Sequence, residues 1–157
     1  DVAGQGSVAP AAIELPVAPR GLSAVTLPSR SGDLVMVRAS HPRGGFQVHL
    51  FGYSEGVFEE LTVEEEPIFD FIATDVMTDP TAVTCAADGF EVLAARAHEP
   101  VGAMAAWDVF RTAHTVEGNT VTRGPTTEVA DNVDDRTLER KYARLVSYDF
   151  FTDCRAG

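Results

Sequence analysis

Several features that usually announce a function are missing from this chain. No apolar run approaches the roughly 18 residues a membrane-spanning helix needs. No basic segment followed by an apolar one stands at the start; the chain begins at Asp1 rather than Met, so a mature or engineered form with its leader removed is the expectation. Lysine is nearly absent: Lys141 is the sole one, and the other basic residues are arginines. Between Gly44 and Ala95 there is neither Lys nor Arg, while Glu55, Glu59, Glu60, Glu64, Glu65, Glu66, Asp70, Asp75, Asp79, Asp88 and Glu91 all fall there. With a net charge of −12, such a surface repels phosphate backbones and argues against nucleic-acid binding. It attracts cations or a basic partner instead.

The chain also has no Gly-x-Ser-x-Gly elbow, no glycine-rich phosphate loop and no dinucleotide fingerprint. Glu64-Glu65-Glu66 supplies neighbouring carboxylates, but adjacent acids in one strand or loop point different ways and favour solvent. No catalytic residue is assigned on these grounds, and no cofactor is expected.

Cysteine is scarce and even in number. Cys85 and Cys154 belong to no CxxC or metal-ligand spacing. Paired, they close a loop worth roughly 4 kcal/mol through lost chain entropy, and a disulfide points to an oxidising, extracytoplasmic compartment.

What is present reads as β-structure. The length suits one domain with its own core, and 45% of the residues are apolar. Residues 1–20 are rich in Gly, Pro and Ala without a sustained period and read as a flexible arm, with one short edge strand at Ala12–Leu15. From residue 21 to 157 a single β-rich domain is expected. Its strands are Leu22–Leu27, Leu34–Ala39, Phe46–Tyr53, Val57–Val63, Ile68–Val76, Ala82–Ala86 and Phe90–Ala97. In Phe46–Tyr53 the alternation places Phe46, Val48 and Leu50 on one face, Gln47 and His49 on the polar one. A hairpin runs from Trp107–Val116 through Glu117-Gly118-Asn119 to Thr120–Val129. One helix is expected, capped by Asn132, with Leu138, Tyr142 and Leu145 on one face. Short strands and frequent turns define a mostly β fold: an antiparallel β-sandwich or a partial propeller-like β-fold, with one C-terminal α-helix.

Phe71-Ile-Ala-Thr-Asp75-Val-Met-Thr-Asp79-Pro, with the strand that follows, resembles the strand-and-loop unit of integrin-like repeats, the FG-GAP or VCBS type of secreted actinobacterial proteins. Gly32-Asp33-Leu34-Val35-Met36-Val37 resembles the start of another. In that resemblance, which covers about 65 residues, Asp75 and Asp79 are the acids a calcium ion would use. Met77 stands at the second ligand position and Pro80 at the turn glycine, so a plain turn is the expectation there.

Four histidines complete the inventory. Three of them, His49, His98 and His114, are candidates to converge on a metal; the other is His41 in a Pro-Arg-Gly-Gly loop. Trp107 follows a small-residue segment containing Met104, which suits a ligand pocket. The reading favoured is a non-catalytic extracytoplasmic protein, secreted or lipoprotein-like. It acts on a protein partner, with a membrane-associated envelope complex as the candidate, through a surface rimmed by Glu59, Glu60, Glu64, Glu65 and Glu66. A small-ligand carrier with its pocket at Met104 and Trp107 is the alternative, and a metal-dependent or redox enzyme is the third.

Overall fold

A computed structural model describes residues 22–29, 32–40, 46–54, 57–63, 80–98, 106–118, 120–146 and 151–156. The expected strands Ala12–Leu15 and Ile68–Val76 lie outside these residues, as do Glu64, Glu65, Glu66, Asp75, Asp79 and Met104. In chain order the strands are β1 (Leu22–Ser29), β2 (Gly32–Ser40), β3 (Phe46–Ser54), β4 (Val57–Glu60), β5 (Thr62–Val63), β6 (Thr81–Ala86), β7 (Gly89–Ala97), β8 (Ala106–Glu117) and β9 (Thr120–Asp134). Two short helices, α1 (Asp135–Lys141) and α2 (Ala143–Val146), precede β10 (Phe151–Thr152) and β11 (Arg155–Ala156).

The strands form two mainly antiparallel sheets, and neither closes into a barrel among the described residues. The first has the order β11-β1-β2-β3-β4, the second β10-β6-β7-β8-β9-β5. The sandwich-like, mostly β reading holds. The segment Val57–Val63 is not one strand, however. It breaks at Leu61, where the chain leaves the first sheet for the second. The Leu61 N–H donates to the Leu50 carbonyl at 2.8 Å, and the Leu61 side chain is buried between the sheets. An apolar residue at the crossing lets one short segment serve both layers.

The second sheet is buried on both faces. One face packs Val83, Phe90, Val92 and Val121 against Leu34, Met36, Val48 and Leu50 of the first sheet. The opposite face packs Ala82, Ala95, Trp107 and Val109 under Leu138 and Leu145 of the helices. β8 shows how one strand serves two cores. Trp107 and Val109 are buried on the helix side, whereas Thr112 and His114, an even number of residues apart from each other but not from Val109, are buried on the sheet side. Side chains alternate along a strand, so the inward face changes midway along β8 because the covering layer changes. Each fully buried large apolar side chain contributes roughly 1.5–3 kcal/mol.

β8 has 12 residues and β9 has 15. The surplus is taken up at three places where the pairing register slips: between Trp107 and Val109, Val109 and Phe110, and Thr112 and His114. Each slip adds one residue on β9, which bends the strand and re-aims its side chains.

The helix is shorter and begins later than its pattern predicts. Asp134, not Asn132, is the cap: its carboxylate accepts from the Thr137 N–H at 2.7 Å and is held below the usual carboxylate range chiefly by Thr137. Asn132 still belongs to β9 and has φ +51°. The helical run pauses at Tyr142, but Leu138 and Leu145 are buried as the spacing predicts.

Candidate functional site

Three places on the fold gather chemistry-bearing side chains. The first is the β3–β4 hairpin at the edge of the first sheet. β4 carries Glu59 and Glu60 and ends the sheet order. Tyr53 and Val57 are 42% and 54% exposed there, and Tyr53 packs on Phe58 with ring centroids 5.0 Å apart. Glu60 has a second task, since its Oε1 lies 2.8 Å from Nδ1 of His49. His49 is 1% exposed, so the alternation that placed it on a polar face is overturned. Both faces of β3 are buried at this point: Val48 and Leu50 on one, His49 and Phe51 on the other. The carboxylate of Glu60 satisfies one of the two nitrogens of this buried imidazole.

The second place is the layer between the second sheet and the helices. Trp107, expected beside a ligand pocket, is buried among Leu138, Leu145, Val109 and Ala95, and its indole N–H donates to Asp135 Oδ1 at 2.6 Å. The indole fills this layer and pins the first turn of α1 to β8.

The third place is the end of β7, β8 and β9. His98 follows β7 directly, held by its N–H donating to the Ala106 carbonyl at 2.8 Å. Its Nε2 lies 2.6 Å from Asp108 Oδ1. Across from Asp108 the first register slip pushes out Asp131 and Asn132, and the Asn132 N–H turns to Asp108 Oδ1 at 3.0 Å. That contact, followed by the one to His98, holds the Asp108 carboxyl below its ordinary value. Asp131 completes the group: one ligand-type atom from each of His98, Asp108 and Asp131 lies within 4.8 Å of the others.

The three histidines therefore do not converge. His49 belongs to the first sheet, and His114 pairs with Phe90 at the far end of β7 from His98. Eight residues of strand separate Phe90 from His98, about 26 Å at the usual rise. Sequence reasoning chose His98 but missed its real companions. Asp108 reaches it across the regular β7–β8 pairing, and Asp131 only through the bulge in β9, which leaves no compositional mark beyond the Asp131-Asn132 pair.

His114 is a core residue. It is buried, stacked on Phe90 with centroids 4.7 Å apart and planes 6° apart. Burial first, and Arg123 second, push its pKa down from 6.5 to about 4. Above pH 6.5 the ring is neutral in both folded and unfolded chains and has no effect. Between pH 6.5 and 4 the unfolded chain takes up a proton that the native ring refuses, so stability falls as pH falls; below pH 4 the loss is complete. Between pH 7 and pH 4.5 this amounts to about 2 kcal/mol. His114→Phe keeps the stack, so urea unfolding at pH 7 and pH 4.5 is expected to show a smaller acid loss in the variant by that amount. Equal losses in variant and parent would refute it.

Comparison of the chain with family models, curated proteins and solved structures yields no match. Among the described residues, no helix is long and apolar enough to cross a membrane.

Proposed function

We propose that this is a non-catalytic extracytoplasmic binding protein, which acts on a basic partner protein through the β3–β4 edge of its first sheet. The observation that carries the reading is the pairing of exposed Tyr53 and Val57 with acids on the terminal strand β4. Large apolar side chains exposed beside a polar rim are the anatomy of a protein-binding patch, with aromatic residues at its centre. Glu64, Glu65 and Glu66, four to six residues after β4 in sequence, add to the negative charge of the chain. The Cys85–Cys154 disulfide supports an oxidising compartment. A net charge of −12 favours a cationic partner and fast, salt-sensitive association.

The test is native isolation from the source envelope in mild detergent, followed by binding measurements on whatever remains stoichiometrically bound. Tyr53→Ala and Glu59→Lys are each expected to weaken that complex by about tenfold or more. Glu60 is left intact in these variants because it supports His49. A partner bound equally well by both variants would place the interface elsewhere. A lone monomer, with nothing bound at low salt, would overturn the reading.

A further inference from the structure

We propose that His98, Asp108 and Asp131 form a site for one divalent transition-metal cation. Three separate strand segments supply the donors: the residue after β7, the third residue of β8 and the bulge in β9. They bring one imidazole nitrogen and two carboxylates to within 4.8 Å of one another. Ligands around a tetrahedral ion at 2.0–2.2 Å stand roughly 3.3–3.6 Å apart, so small side-chain rotations close the set. The backbone beneath is already fixed. His98 is anchored through Ala106, and Asn132, with φ +51°, ties the bulge to Asp108 by its N–H.

The charge balance also calls for a cation. Two carboxylates face one ring, and among the described residues the ion-pair partner found for Asp108 is His98. Arg96 is opposite Asp108 in register, but its guanidinium lies over the Phe110 ring, 5.2 Å from the centroid. An ion bound at His98 Nε2 and Asp108 takes the place of the hydrogen bond between them. The class of ion follows from the donors. An imidazole with two carboxylates suits zinc, manganese, cobalt or nickel, whereas calcium asks for six or more oxygens. His98 is 50% exposed, so water completes the coordination and the ion is within reach of solvent.

The experiment uses the whole chain without an affinity tag, stripped with chelator and titrated with zinc chloride by calorimetry. One equivalent binding in the micromolar range is expected, with the thermal midpoint raised by about 5 °C at a hundredfold excess over Kd. His98→Gln and Asp131→Asn are both at exposed positions, and each is expected to weaken zinc at least tenfold. His114→Phe, in the buried core, leaves binding unchanged. Ring resonances of His98, rather than those of another histidine, should move on titration. No binding below millimolar zinc would overturn the site. So would zinc binding that survives both His98→Gln and Asp131→Asn.

Discussion

Removing the disulfide, by Cys85→Ser with Cys154→Ser, is expected to cost the fold about 4 kcal/mol. The bridge spans 69 residues of sequence with Cα atoms 5.0 Å apart, and closing a loop of that size restricts the unfolded chain by about that much. For a domain of ordinary marginal stability this is a large share of the total. The structure also says where the loss is felt. Cys154 lies between β10 and β11, which are only two residues each and pair with different sheets. Arg144 adds two contacts nearby, donating to Thr84 Oγ1 at 2.9 Å and to Asp153 Oδ2 at 3.2 Å, but these are exposed and weak. Without the bridge, amide exchange is expected to quicken first at residues 151–156 and at their partners Val25 and Thr26 in β1. An unchanged urea midpoint in the double serine variant would show that the terminal pairings hold unaided.

An effect of similar size is expected from a single methyl group. Gly89 opens β7 after the turn at Ala87-Asp88, with φ +156°, and a Cβ there would fall on the carbonyl oxygen of His114 in the neighbouring strand. Backbone cannot move aside as a flexible side chain can, so Gly89→Ala must either spread β7 from β8 or abandon the turn. The expected loss is about 4 kcal/mol, at the high end for one substitution. Gly118 makes the control. It too has positive φ, +59°, but nothing lies within 4 Å of where its Cβ would stand. Gly118→Ala therefore meets only local backbone strain, about 1 kcal/mol. Equal urea midpoints for the two variants would refute the steric account.

Much of this fold is legible along the chain because most of its signals are local. The β8–β9 hairpin shows in its turn residues, and Leu138 and Leu145 reveal the buried helix face through their spacing alone. Position in a layer is harder to read. His49 alternates correctly with Val48 and Leu50, yet alternation gives only the opposite face, not whether that face meets water. The break at Leu61 is invisible for a related reason, since an apolar residue in an extended segment looks the same whether its neighbours stay in one sheet or part between two. The metal-type cluster lies further out of reach. Asp108 and Asp131 are acids among many, and what joins them is a slipped register whose signature, Asn132 in the left-handed region, needs coordinates to be seen.

The placement of β11 beside β1 has a bearing on how the protein is made. β1 comes first among the described strands, but its outer neighbour is Arg155–Ala156, so the first sheet stays incomplete until that late segment has left the ribosome. Pairings between such distant segments are slow to form. Both sheets gain an outer strand from residues 151–156, β11 beside β1 and β10 beside β6, and the Cys85–Cys154 bridge ties that same late segment to β6.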